Sequence, residues 1–131
     1  MQPSNMTETE SYVYQGLKLA QHLAHETATE AGWYLDLATG KPVKRNFGEV
    51  VALMHSELSE ALEADRKGLM DDKLPHRDGR EVEFADVIIR ILDTAAALSL
   101  DVAGALIEKN RFNLQRADHK LGVRAAGGKK Y

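Results

Sequence analysis

The sequence predicts an all-α fold, a bundle-like arrangement of four helices in a single domain. Three observations predict it. Apolar residues recur at helical spacing in four successive stretches, strong capping residues stand before two of them, and no stretch alternates apolar and polar residues as a half-buried strand does. The length of 131 residues, with 44% hydrophobic and 28% charged side chains, is that of one ordinary globular domain with a real core.

The first helix is expected over residues 10–31, where Val13, Leu17, Ala20 and Ala24 form a stripe and Gly32 ends it. Residues 1–9 read as a flexible N-terminus, and the segment through Gly40 and Pro42 as loop. Asn46 is a good N-cap for a second helix, and Glu49 three residues on completes a capping-box pattern. That helix runs to about Lys67, with Gly68 as its C-cap. A loop containing Pro75 and Gly79 follows. The third helix starts near Asp78, with Glu81 at its third position, and runs to about Leu98. The fourth is expected from Val102 to Asp118, and residues 119–131 read as a basic, glycine-rich tail.

Bulk properties exclude several classes. With no cysteine there are no disulfides and no thiolate metal sites, which fits a reducing compartment. A net charge of -3 argues against a dedicated nucleic-acid binder. The N-terminus shows no signal-peptide pattern, and the apolar stretch from Thr94 to Ile107, broken by Ser99 and Asp101, is too short to span a bilayer. A cytoplasmic protein with no membrane association is expected.

The informative residues are carboxylates. At about 100° per residue, Val51, Met54, Leu58, Ala61 and Leu62 form the expected core stripe of the second helix, with Glu63 among the solvent-facing residues. Glu57 and Glu60 fall on neither side; they lie beside Val50, Leu53 and Ala64. On the third helix Glu83, Asp86, Arg90 and Asp93 line up on one narrow stripe among Val82, Val87, Ile88, Ile89, Ile91 and Leu92. Carboxylates held together repel and are costly to bury without a counter-charge. A divalent cation is a natural one, since carboxylate oxygens are hard ligands suited to Mg²⁺, with Mn²⁺ as a substitute. Glu57, Glu60, Glu83 and Asp86 are therefore the candidate metal ligands, and Asp93 a further ligand or outer partner. The plainer reading leaves Glu57 and Glu60 solvated and pairs Arg90 with Asp86 and Asp93.

On the fourth helix Lys109, Asn113 and Arg116 share a face, with Asn110 beside it, a set suited to gripping phosphate oxygens. Trp33 and Tyr34, and more weakly Arg45 and Phe47, are candidates for stacking on a nucleobase, with core packing as the competing role. His22 and His25 read as a solvated helix face rather than a ligand pair. His119, Lys129 and Lys130 would reach phosphate only if the tail folded over the site.

The stretches RNFGEVVALMHSELSEALEADRKG, EVEFADVIIRILDTAAALSLD and EKNRFNLQRADHK together resemble the MazG-like nucleotide pyrophosphohydrolases, members of the all-α NTP pyrophosphatase superfamily that includes the dimeric dUTPases. The hallmark is ExxE followed by ExxD on the next helix, here Glu57-Leu58-Ser59-Glu60 and Glu83-Phe84-Ala85-Asp86. The family motif often begins with two adjacent glutamates, and Ser56 stands in the first of those places. The resemblance covers residues 45–131 and implies hydrolysis of a (d)NTP to its monophosphate and pyrophosphate. It implies Mg²⁺ at the four carboxylates, Glu60 as the first candidate to orient or deprotonate the water, and a bundle completed by homo-oligomerisation, as a tetramer rather than a dimer. Similar proteins occur in bacteriophages, one branch acting on dGTP, so a purine substrate in a host cytoplasm is one setting. The competing function is a non-catalytic, metal-stabilised helical oligomer that binds a partner protein. A di-iron bundle would need Glu-x-x-His on two helices, and neither motif is followed that way.

Overall fold

The computed structural model describes residues 2–131, and of Ala117 the backbone alone. The elements are α1 (Glu8–Glu30), α2 (Phe47–Lys67), α3 (Gly79–Ala97), α4 (Val102–Gln115), a 3₁₀ turn (Ala117–His119) and α5 (Leu121–Ala125). No strand forms among the described residues; two isolated bridges, Leu35 to Pro42 and Met70 to Asp78, close the loops before α2 and α3. No helix is long and apolar enough to cross a membrane. The contacts gather into two compact units, Ala20–Leu100 and the chain up to Leu19 with Asp101–Tyr131.

The unit Ala20–Leu100 is built on α2 and α3. Asn46 caps α2 by accepting the Glu49 N–H at 3.0 Å, which satisfies one of the first-turn donors a helix leaves open. Gly68 ends it at φ 62°, a left-handed conformation that glycine enters without a Cβ penalty. Asp78 caps α3 through the Arg80 N–H at 2.9 Å, one residue earlier than the Glu81 pairing suggested by the spacing. The two helices run antiparallel. Gly79 at the start of α3 packs on Ala64 near the end of α2, while Val50 near the start of α2 shares a cavity wall with Thr94 and Ala97 near the end of α3.

The buried residues of this unit are mostly small: Ala24, Ala61, Ala64 and Ala95, with Val50, Val87 and Leu92. The face of α2 turned inward therefore runs through Val50, Glu57, Ala61 and Ala64. This corrects the sequence expectation, which placed Leu58 and Leu62 in the core stripe. Both are about half exposed, at 45% and 50%. Helical projection finds the most apolar face, but burial follows the face that has a neighbour, and here small residues let α3 approach.

In the other unit, Ala103, Gly104 and Ile107 of α4 are buried. Residues near the N-terminus are tied down rather than free. Thr7 and Glu10 make a reciprocal capping box at the start of α1. Arg111 clamps the Glu10 carboxylate at 2.8 and 2.6 Å and donates to the Ser4 and Asn5 carbonyls. α4 is shorter than expected because Arg116 adopts extended backbone, and part of the expected tail folds as α5.

Candidate metal centre and the adjoining cavity

Glu57 and Glu60 lie one turn apart on α2, and Glu83 stands opposite them on α3. Each of the three offers a carboxylate oxygen within 4.8 Å of the other two, a spacing that could hold a metal ion. Glu57 is buried, Glu83 half-buried and Glu60 exposed. Arg90, two turns beyond Glu83, places Nε and Nη2 at 2.8 and 2.7 Å from one Glu57 oxygen, Oε1. The plainer sequence reading, with Arg90 on Asp86 and Asp93, thus gives way to a pairing across the helices. Glu83 Oε2 is buried with no hydrogen-bond partner. A buried carboxylate oxygen left open is costly unless a cation or proton meets it.

The charges sort themselves accordingly. Burial, then the neighbouring Glu57 and Glu60, push the Glu83 carboxyl up to about 7. Burial also acts to raise Glu57, but hydrogen bonds, led by that of Arg90, outweigh it and leave Glu57 below the usual carboxylate range. Arg90 thus offsets the charge of Glu57, while Glu83 holds its proton more tightly than an ordinary carboxyl. A carboxyl whose folded pKa is raised keeps its proton above pH 4.5 while the unfolded chain has lost it, so its contribution to stability falls as pH rises from 4.5 through about 7. In the presence of a chelator, Glu83→Gln is therefore expected to melt higher than wild type at pH 8 and not at pH 5. Equal differences at the two pH values would refute this assignment.

Asp86 lies one turn beyond Glu83, outside the three-carboxylate cluster, and its carboxyl is raised by burial and then by the Glu57 charge. It borders a cavity of about 410 Å³ that Trp33, Arg45, Arg90 and Asp93 also line. Asp93 does not join the cluster. It is 5% exposed and fully engaged: Tyr34 Oη–H and His25 Nδ1–H each donate to Oδ1 at 2.8 Å, and Arg45 Nη1 is 3.9 Å from Oδ2. The two histidines of α1 are thus separated in role, His25 half-buried on Asp93 and His22 exposed.

Among the base-binding candidates, Trp33 and Arg45 come together, the guanidinium 5.5 Å from the indole centroid. Phe47 lines, with Arg45, Tyr34 and Val50, a second cavity of about 340 Å³. The phosphate-binding candidates belong to the other unit. Lys109, Asn110 and Asn113 line an open groove along α4, and Lys109 sits 4.7 Å over the Phe112 ring. Arg116 leaves this face at the helix end and chelates Asp118 at 3.0 and 2.6 Å.

The residues missed by sequence reasoning are Tyr34 and His25 as partners of Asp93, and Arg90 as the partner of Glu57. Only Arg90 carried a signal, its place on the acidic stripe. Comparison with known protein families, characterised proteins and solved structures finds no match to this chain.

Proposed function

We propose that the chain is a metal-dependent nucleoside triphosphate pyrophosphohydrolase, converting a (d)NTP to its monophosphate and pyrophosphate, with a purine such as dGTP one candidate. One observation carries the reading: three glutamates bring carboxylate oxygens within 4.8 Å of one another, Glu83 among them with a buried, unpartnered oxygen, and Asp86 and Arg90 next to them line a cavity with an indole and a second guanidinium. This donor set fits Mg²⁺, with Mn²⁺ as substitute, held by Glu57, Glu60 and Glu83, and Asp86 stands one turn away at the cavity edge. Bound there, the cation would supply positive charge against the triphosphate oxygens and acidify water.

The chain's own residues do the rest. Arg45, on the cavity wall, is the candidate to contact phosphate oxygens, and the exposed Trp33 face to stack on a base. Lys109, Asn110 and Asn113 remain phosphate-binding candidates on α4. Glu60, exposed and without an ion pair among the described residues, is placed to accept the proton of a water that attacks the α-phosphorus. The new bond joins that water oxygen to phosphorus, and the α–β bridging bond breaks with release of pyrophosphate. The reading includes a cytoplasmic homo-oligomer, a tetramer rather than a dimer, which would cover Leu58, Leu62, Phe84 and Ile88, all 45–54% exposed.

Incubation with each (d)NTP and Mg²⁺, products resolved by phosphorus NMR, is expected to give monophosphate and pyrophosphate from at least one nucleotide and nothing with excess chelator. Orthophosphate with a diphosphate would overturn the reaction assigned. Intact nucleotides, together with a melting point raised by Mg²⁺, would favour the non-catalytic oligomer to which the exposed apolar residues also point.

A further inference from the structure

We infer that Arg90 is a resident counter-cation, displaced from Glu57 when a divalent ion enters and then turned into the adjoining cavity to bind the phosphate chain of the substrate. The inference rests on the pyrophosphohydrolase reading and adds a role for a residue outside the metal-ligand set.

The geometry argues for a guest at Glu57 rather than a fixed pair. Both guanidinium nitrogens fall on the same oxygen, Oε1, instead of bridging the carboxylate side by side. The bidentate fork that makes arginine–carboxylate pairs rigid is therefore absent. Arg90 is also the only cation paired with the cluster among the described residues. The Glu57 side chain is 10% exposed and that of Arg90 33%, so a deeply held carboxylate is met by a side chain that still reaches solvent. Without Arg90 the metal-free centre would hold a buried, unbalanced charge.

A divalent ion at the three carboxylates would stand close to the guanidinium held on the same Glu57 carboxylate, and the two cations repel. Like charges at contact distance near a protein surface repel strongly, more so for a doubly charged partner. The divalent ion, with three carboxylates to bind, displaces the singly charged one. The exit is already present. Arg90 lines the 410 Å³ cavity together with Asp86 and Asp93, which lie four residues before and three after it on α3. Helix spacing puts Asp86 within reach of its side chain, while Asp93 is already held by Tyr34, His25 and Arg45. The α3 backbone need not move, because the long arginine stem re-aims by rotation alone. In the cavity the freed fork matches phosphate oxygens, which it cannot meet while held on Glu57.

The test uses wild type, Arg90→Gln and Arg90→Lys, with folding checked by circular dichroism. Free Mn²⁺ is measured by electron paramagnetic resonance without nucleotide, and binding of an α,β-methylene triphosphate analogue is measured with Mn²⁺ present. Arg90→Gln is expected to bind Mn²⁺ several-fold more tightly than wild type and the analogue about tenfold more weakly, with Arg90→Lys between. In wild type, the Arg90 Nε–H resonance is expected to shift on adding Mg²⁺ alone and again with the analogue. Weaker Mn²⁺ binding by Arg90→Gln, unchanged analogue affinity, or an Arg90 resonance indifferent to Mg²⁺ in a protein that binds Mn²⁺ would overturn the inference alone. Wild type that takes up no Mn²⁺ overturns the underlying reading and this one together.

Discussion

Glu57→Gln is expected to lower kcat by about a thousandfold, equivalent to about 4 kcal/mol of barrier, while leaving the chain folded. No other residue joins the two halves of the proposed chemistry. Glu57 contributes an oxygen to the three-carboxylate cluster and also holds Arg90. The amide keeps the size and an acceptor oxygen but removes a negative charge, so a hard divalent cation loses one of its three closest donors. The proton balance shifts as well. With the Glu57 charge gone, one cause that raises Glu83 disappears, and Glu83 ionises more readily. The cost to stability stays small. Arg90 is a third exposed and can return to water, so the lost pair is worth about 1 kcal/mol once solvent screening is counted. Pyrophosphate release and thermal unfolding read the two quantities separately. Turnover within tenfold of wild type in the folded variant would remove Glu57 from the reaction. Glu60→Gln should leave Mn²⁺ uptake less affected than Glu57→Gln, since Glu60 is exposed and solvent can supply an oxygen in its place.

How much of this was legible in the sequence depends on how local each cause is. The bounds of α2 and the start of α3 were legible, because Asn46, Gly68 and Asp78 act within a turn of where they stand. Three of the four acidic positions came together as their spacing suggests, since residues three apart on a helix share a face whatever packs against it. Asp86 stops short for a geometric reason. It is one turn further along α3, about 4.5 Å in axial rise, where the helix pair opens into the cavity. The inward face of α2 was not legible from hydrophobicity, which favoured Leu58 and Leu62 over Glu57 and Ala64; the neighbour decided it. The end of α4 was missed because Arg116 turns aside to chelate Asp118, a side-chain pairing that helical periodicity does not register. Asp93 stands outside the three-glutamate cluster for the opposite reason. Its helix spacing matched the metal-binding stripe, but its partners Tyr34 and His25 stand 59 and 68 residues away in sequence.

Those long-range partners lead to the second large effect. Asp93→Ala is expected to destabilise the fold by about 3–5 kcal/mol, a drop in melting temperature of about 10 °C or more for a domain of this size. The carboxylate is the node that ties α1, the loop before α2 and α3 to one another within the unit Ala20–Leu100. Removing it strands the Tyr34 hydroxyl and the His25 Nδ1–H, each half-buried and each donating to Oδ1 at 2.8 Å. It also strips Arg45 of its only anionic neighbour among the described ion pairs. The Tyr34 hydroxyl reports the strength of the contact. Burial, then the hydrogen bond and charge of Asp93, hold its pKa up at about 12, so a drop toward 10 in the variant is a spectroscopic sign that the node is gone. Asp93→Asn separates the two roles. It keeps an acceptor for Tyr34 and should cost less, about 1–2 kcal/mol. If Asp93 only organises the cavity wall, the folded Asn variant binds Mn²⁺ as wild type does, while Glu57→Gln does not. If Asp93→Asn loses Mn²⁺ as Glu57→Gln does, Asp93 is a ligand after all, and the helix spacing was the better guide than the Tyr34–His25 node.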